Sequence, residues 1–132
     1  MIVVPETLCR AVRLLRHLDT ETPVASATLG ELLGGLSRDE VETSLRPLYR
    51  AGVVRSKKGR RGGWLLMRPR HAIEFSDVAG AIIGTQLQIC RGCEHARRCQ
   101  TARIFKGASQ AALEHLAAYT VDDVIDASPG IY

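Results

Sequence analysis

Three cysteines, Cys90, Cys93 and Cys99, lie within ten residues of one another. Thiolates this close in sequence can converge on one soft metal without any long-range folding. Three arginines in the same segment favour the thiolate form and would offset the negative charge of a thiolate-bound iron–sulfur cluster. The Cys-x-x-Cys spacing of the first two cysteines also suits zinc or a redox-active dithiol. The pattern therefore indicates an iron–sulfur cluster, a zinc ion or a metal-free thiol switch.

Glu94 and His95 are the nearest further donors for such a site, although a histidine in so tight a loop is more often a surface side chain. The N-terminus lacks the basic start and apolar stretch of an export signal. The apolar runs are also shorter than the roughly 18 residues of a membrane span. We therefore expect a cytoplasmic protein whose cysteines serve metal binding or redox chemistry rather than disulfides.

The positive charge of the chain is concentrated in residues 55–70, which contain seven Lys and Arg and no acidic residue. These cations surround a glycine-rich turn, 57–63, that separates the short apolar stretches 53–56 and 64–67. Two apolar stretches around such a turn predict a β-hairpin. A hairpin this basic favours contact with phosphates over a merely solvated surface.

Three helices are predicted ahead of the hairpin. The first covers residues 8–18, where apolar side chains recur at three- and four-residue steps behind Thr7 as the N-cap. The second starts at Thr28 and the third at Ser37, each with a glutamate three residues later in the capping-box pattern. Helix, short helix, helix and basic hairpin, in this order, predict a winged helix-turn-helix.

The chain beyond the hairpin is predicted to be helical as well. A fourth helix is expected from Ser76 and Asp77, a longer one over 102–118, and a final short turn over 120–125. The predicted fold class is mainly α with a small β-hairpin, a winged helix-turn-helix followed by a long C-terminal helix.

In a winged helix the third helix enters the major groove and the hairpin, or wing, lies along the phosphate backbone. We expect base contacts from Arg38, Thr43, Ser44 and Arg46. We expect phosphate contacts from Arg55, Lys57, Lys58, Arg60 and Arg61, with Gly62 letting the backbone of the wing approach DNA closely. A winged helix used only for protein contacts is the alternative.

Four stretches carry a family resemblance: LRPLYRAGVVRS at 45–56, RGGWLL at 61–66, IEFSDV at 73–78 and TVDDV at 120–124. With the cysteine triplet, they make the chain similar to the bacterial IscR/NsrR-type regulators from about Leu8 onward. The resemblance implies a homodimer joined by the long helix after the cysteines. It also implies a roughly palindromic operator in double-stranded DNA, and an iron–sulfur cluster on the three-cysteine loop.

Aligned with that family, Cys9 falls near the place where some members carry a carboxylate ligand from the partner subunit. The resemblance therefore implies a cluster held by Cys90, Cys93 and Cys99 of one chain and Cys9 of the other, whereas a small buried core residue is the alternative for Cys9. The first cysteine gap is narrower than members commonly have, which leaves [2Fe–2S] and [4Fe–4S] both open. Glu42 falls where some members carry a glutamate that tunes operator choice with cluster state.

We therefore expect a DNA-binding transcription regulator, activator or repressor, that senses redox state, iron or nitric oxide through its cluster. A winged-helix regulator with a zinc site or a thiol switch is one alternative, and an electron-transfer or cluster-carrier protein is another. No nucleophile–base arrangement, phosphate loop or paired-carboxylate pattern indicates an enzyme. The expected parts are a winged-helix DNA-binding domain (1–83), a Cys-rich cluster-binding loop (84–101) and a dimerisation helix with the C-terminal segment (102–132).

Overall fold

The computed structural model describes residues 4–84, 94–95 and 97–132. Over these residues the order of helices and strands is the one that the sequence predicts. The elements are α1 (Glu6–Arg16), α2 (Ser26–Leu32), α3 (Arg38–Arg50), β1 (Val54–Lys57), β2 (Gly63–Leu66), α4 (Phe75–Ile83), α5 (Gln100–Ala117) and α6 (Val121–Asp126), with a 3-10 turn (Arg70–Ala72) before α4.

The core is built of aliphatic side chains from α1, α3, the hairpin and α4. The apolar stripes predicted for the first and third helices are confirmed. Their members are all buried: Leu8, Ala11, Val12, Leu15 and Leu18 of the first helical segment, and Val41, Leu45 and Leu48 of α3. Because side chains three and four residues apart share one helical face, burial of this stripe leaves the other faces of α3 available to solvent.

The start of α3 follows the predicted capping box. The Ser37 hydroxyl accepts a hydrogen bond from the Glu40 N–H at 3.3 Å, and the Glu40 carboxylate accepts one from the Ser37 N–H at 2.9 Å. The helix continues past Pro47 to Arg50. It is followed by Gly52, which has the left-handed φ of +74° expected of a glycine stop.

The predicted N-caps of α1, α2 and α4 lie two or three residues too late in the sequence. Thr7 and Thr28 are not N-caps, because α1 follows Pro5 and α2 follows Ala25, and neither start has a side-chain cap. The fixed φ of proline presets the entry to α1. The fourth helix likewise begins directly after Glu74, ahead of the predicted serine and aspartate.

The hairpin is docked onto the helices rather than projecting freely. β1 and β2 pair in antiparallel register with Ser56 opposite Trp64. The other edge of β2 pairs with the α1–α2 connection, where the Trp64 N–H donates to the Val24 carbonyl at 2.8 Å and the Val24 N–H donates back to the Trp64 carbonyl at 3.1 Å. Gly63 has φ +151°, and a Cβ there would lie 2.3 Å from the Val24 oxygen. A glycine is therefore required for this approach.

The C-terminal helices differ in how much they bury. The 18-residue helix α5 has no buried residue, and its Ile104 and Phe105 are 61% and 42% exposed. The short helix α6 has a full capping box between Thr120 and Asp123. Within the described ranges, no helix is both long and apolar enough to cross a membrane.

Candidate nucleic-acid interface and cysteine site

Three of the four predicted base-contacting side chains are exposed on α3: Arg38, Thr43 and Arg46. The fourth, Ser44, is only 8% exposed, and its hydroxyl donates to the Glu40 carbonyl at 2.8 Å. This side chain belongs to the inward stripe of the helix, so its predicted contact with bases does not fit the structure. Of the predicted base-contacting side chains, the other three remain available to solvent.

Arg38 and Glu42 form an ion pair on one face of α3, with Arg38 Nε donating to Glu42 Oε1 at 2.8 Å. The Ser26 hydroxyl of α2 donates to the same oxygen at 3.3 Å. The Arg38 contact is the main reason that the pKa of Glu42 is lowered. The Arg38 side chain is nevertheless 75% exposed. A donor suited to guanine and an acceptor suited to cytosine therefore stand side by side.

The turn of the wing presents four exposed cations, Lys57, Lys58, Arg60 and Arg61. Gly62 closes this turn, and a Cβ on it would lie 2.0 Å from the Lys57 carbonyl oxygen. A side chain at that position would therefore open the turn. One short segment, 57–62, therefore carries all four cations. It also carries Gly62, which was predicted to let the backbone approach DNA.

The remaining cations of the basic run contact protein groups. Arg55 is exposed, and its guanidinium donates to a backbone carbonyl of the α1–α2 connection at 3.3 Å. Arg68 pairs with Asp77 of α4, and Arg70 pairs with Asp122 of α6 at 2.9 Å. These two ion pairs were not predicted, since the acidic partners lie outside the basic run. The run therefore divides into a solvent-facing turn and a segment, 68–70, whose two arginines pair with α4 and α6.

An open groove of about 440 Å³ lies between the wing and helices α2 and α3. Lys57 and Arg60 line it from the wing, Arg38 and Glu42 from α3, and Ser26 from α2. The groove thus combines cations from the wing with the Arg38–Glu42 ion pair of α3. Its charge is suited to a sugar–phosphate strand.

Trp64 was not singled out from the sequence, although it lies at the base of the wing. Its indole Nε1 donates to the Ser26 hydroxyl at 2.9 Å. Its ring also meets that of Tyr49 edge-on, with centroids 6.3 Å apart. Only the aromatic character of the position was available as a signal, because both partners are distant in sequence.

Cys99 is half-buried at the N-cap position of α5. The backbone N–H groups of Ala102 and then Thr101 lower the pKa of its thiol. This favours the thiolate, which is the form that binds metals and attacks disulfides. Cys90 and Cys93 lie outside the described residues.

Cys9 is half-buried on α1, where the Tyr132 hydroxyl donates to its sulfur at 4.0 Å. Burial, followed by the contact with Cys9, raises the pKa of Tyr132. One turn along α1, Arg13 Nε donates to the Ile131 carbonyl at 3.2 Å. The C-terminal segment therefore lies against the part of α1 that carries Cys9. The local sequence pattern gave no signal for this contact.

Cys9 and Cys99, the two cysteines that the structure describes, are not bonded to each other and are free thiols among the described residues. Glu94 and His95, the alternative fourth donors, are exposed. Within residues 4–84, 94–95 and 97–132, no group of three or more His, Cys, Asp or Glu side chains could hold a metal ion. Assembly of the predicted four-cysteine site therefore stays a prediction.

Comparison with known proteins gives a family and a fold. Residues 6–127 match the model of the Rrf2 family, described as an iron-dependent transcriptional regulator. Similar solved structures include CymR (YrzC), the global cysteine regulator of B. subtilis, with a TM-score of 0.67 and 23% identity over 97% of this chain and 99% of that one. T. potens IscR has a TM-score of 0.62 and 24% identity over 97% of this chain and 89% of that one. The oxidized form of S. aureus CymR has a TM-score of 0.63 and 19% identity over 93% of this chain and 95% of that one.

At these identities the structural likeness establishes the winged-helix fold. The family match covers nearly the whole chain, from the start of α1 to the end of α6. The chain therefore belongs to the Rrf2 family of DNA-binding transcriptional regulators.

Proposed function

We propose that this regulator works in the cytoplasm as a homodimer that binds a roughly palindromic operator and senses its signal through an iron–sulfur cluster. The observation that carries the DNA-binding part is the groove lined by the exposed wing cations Lys57, Lys58 and Arg60 on one side and by the Arg38–Glu42 pair of α3 on the other. In this proposal Arg38, Thr43 and Arg46 read base edges. The wing contacts phosphates through Arg55, Lys57, Lys58, Arg60 and Arg61, and Gly62 lets its backbone come close.

The dimer is proposed to form through α5. An 18-residue helix with no buried residue, and with Ile104 and Phe105 largely exposed, has an apolar surface that the described part of this chain does not cover. A second copy offers the same surface through a two-fold axis. That axis would place the two α3 helices on successive major grooves and require symmetry in the operator.

The donor chemistry fits an iron–sulfur cluster. Cys90, Cys93 and Cys99 supply soft thiolates from one short segment, and the lowered pKa of Cys99 favours the ligating form. Cys9 of the other subunit would complete the set, with His95 or Glu94 as the next candidates. When bound, the cluster would supply a group that responds to iron supply, oxidants or nitric oxide.

The placement of Cys9 supports a route from the cysteine site to DNA. α1 packs against both α3 and α4, and Cys9 follows the buried Leu8 directly. A ligand that pulls on Cys9 would therefore move α1 and, through the close-packed core, α3. Gaining or losing that ligand would select between two spacings of the recognition helices.

A metal-free thiol switch is the second candidate. It is favoured by the Cys-x-x-Cys pair and by the thiolate character of Cys99. In that case a disulfide between two of the cysteines, formed by an oxidant, would replace the cluster as the element that moves α1 or α5. The DNA-binding half of the proposal is the same in both.

Anaerobic purification followed by a gel shift tests the proposal. A brown protein with visible absorbance and acid-labile sulfide, whose operator affinity changes when the cluster is removed, is the expected result. A colourless protein that responds to oxidants but not to iron would replace the cluster by the thiol switch. A Cys9→Ser variant with an unchanged spectrum and unchanged switching would remove Cys9 from the ligand set.

A further inference from the structure

Trp64 connects the wing to three parts of the helix-turn-helix. Its backbone exchanges two hydrogen bonds with Val24, at 2.8 and 3.1 Å, ahead of α2. Its indole N–H donates to Ser26 in α2, and its ring meets Tyr49 of α3. No other residue described in the hairpin makes side-chain contacts of these kinds with both helices. Trp64 therefore links the wing to both helices through its side chain, beside the contacts that Arg55 and the Leu66 N–H make with the α1–α2 connection.

Ser26 connects Trp64 to the ion pair on α3, the recognition helix of the proposed DNA complex. Its hydroxyl accepts from the Trp64 indole at 2.9 Å and donates to the Glu42 carboxylate at 3.3 Å. Glu42 in turn holds Arg38 at 2.8 Å. Four side chains from the wing, α2 and α3 are thus joined end to end. A hydroxyl is the group that can both accept and donate in this position, whereas alanine can do neither.

This chain of hydrogen bonds has a consequence for DNA binding. The wing carries the phosphate contacts, and Arg38 lies on the base-reading face of α3. If the indole–hydroxyl link holds the wing at one distance from α3, both sets of contacts can form at once only on a duplex of the right groove geometry. If the link is broken, the wing can settle on phosphates without the recognition helix being seated.

We propose that Ser26 and Trp64 are positioning residues that lock the wing to the recognition helix, so that phosphate contacts and base contacts are made together. This inference rests on the DNA binding proposed above. It assigns selectivity to two side chains that need not touch a base.

The first experiment needs no DNA. The chain has one tryptophan, so its indole N–H gives a single resonance in a ¹H–¹⁵N spectrum. In Ser26→Ala the hydrogen exchange of that N–H should become about five-fold faster, the effect of losing one hydrogen bond of ordinary strength. Thr28→Ala, which removes an exposed hydroxyl from the same helix, should leave the rate unchanged. Equal exchange rates in the wild type and Ser26→Ala would overturn the inference.

The second experiment measures selectivity. A duplex selected from a random library by the wild type, and a scrambled duplex of equal length, are titrated with wild type, Ser26→Ala, Ser26→Thr and Trp64→Phe. The selected duplex should be bound about five-fold more weakly by Ser26→Ala and by Trp64→Phe, with binding to the scrambled duplex unchanged. Ser26→Thr keeps the hydroxyl and should restore selectivity.

The two proposals fail in different ways. Equal loss on both duplexes in Ser26→Ala and Trp64→Phe would indicate a general structural role and refute positioning, as would full selectivity in both variants. Failure of the wild type to bind any duplex would refute the proposed function, and with it the role in selectivity, while the exchange measurement would still decide whether the Ser26–Trp64 link exists.

Discussion

Replacing Lys57, Lys58, Arg60 and Arg61 together by glutamine should weaken DNA binding and flatten its dependence on salt. All four side chains are exposed at the turn of the wing. Across the described residues none of them takes part in an ion pair. Their charges therefore contribute little to the fold and are available to phosphates. The substitutions should leave the melting temperature of the free protein nearly unchanged, because surface replacements of this kind cost little.

The size of the effect follows from counterion release. Each phosphate neutralised contributes about 0.9 to the slope of log affinity against log salt. Neutralising the four cations of one wing should therefore reduce the slope by up to about 3.5, and by roughly twice that in a dimer with both wings bound. Between about 50 and 200 mM salt, a change of 3.5 in slope is worth about 100-fold in affinity.

The assay is a titration of one labelled duplex at four or more salt concentrations, with circular dichroism as a check of folding. The control is Arg16→Gln, an exposed cation outside α3, the wing and α5, which should leave the slope close to that of the wild type. A quadruple wing variant with unaltered affinity and an unaltered slope would refute the placement of the wing on phosphates. That result would also mean that the wing cations do not orient α3 on the duplex through DNA phosphates.

Four further predictions concern stability and access. Ser37→Ala should lower the free energy of unfolding by about 1 kcal/mol in a denaturant titration, because it removes the cap of α3; no change would contradict the capping box. Gly63→Ala should cost roughly 1–3 kcal/mol by the same measurement, since φ is +151° and a Cβ would meet the α1–α2 connection; a neutral substitution would show that the hairpin is not docked there. The Ser37 backbone N–H, followed by its hydroxyl, lowers the pKa of Glu40. The ionised Glu40 carboxylate therefore stabilises the fold above its unfolded-state pKa, and this contribution to the free energy of unfolding is lost as the pH falls through its folded-state pKa. Glu40→Gln should then lose less stability in acid than the wild type. An identical pH profile of the two proteins would refute this. Tyr132→Ala should speed alkylation of Cys9, measured by peptide mass mapping, because the tyrosine hydroxyl lies 4.0 Å from the sulfur; an unchanged rate would mean that the C-terminal segment does not cover that thiol.

Local patterns in the sequence were enough to predict the helix-turn-helix and the wing. The apolar stripe of α3 and its capping box depend only on residues three and four apart, and both are confirmed. The same periodicity held the information that corrects Ser44, which lies three residues after Val41 and four before Leu48, both buried. The polar character of Ser44 favours solvent, whereas its place on the helix favours the core. A hydroxyl that bonds the carbonyl four residues earlier can be buried on a helix at little cost.

The start of α2 shows where local patterns fail. Thr28 and the glutamate three residues later match a capping box, yet the helix begins at Ser26. The reason lies elsewhere in the chain, because the backbone of Val24 pairs with Trp64 of the wing and fixes how the chain enters the helix. A contact between residues this far apart in sequence has no signature in either segment. The cysteine site is harder still, since one proposed ligand comes from another subunit.

The end of the basic run, beyond β2, links the DNA-binding part of the molecule to the helices that follow it. Arg68 lies just beyond β2 and pairs with Asp77 on α4, and α4 packs against α5. Cys99 occupies the N-cap position of α5. The base of the wing is therefore joined through one ion pair and one helix packing to the helix that begins at the cysteine site. In the proposed mechanism, a change at the cysteines would reach DNA through α5 and α4 to the wing, as well as through α1 to α3. Two routes that end on opposite sides of one groove would move the phosphate contacts and the base contacts in concert, which is the arrangement that a switch between operator-bound and free states requires.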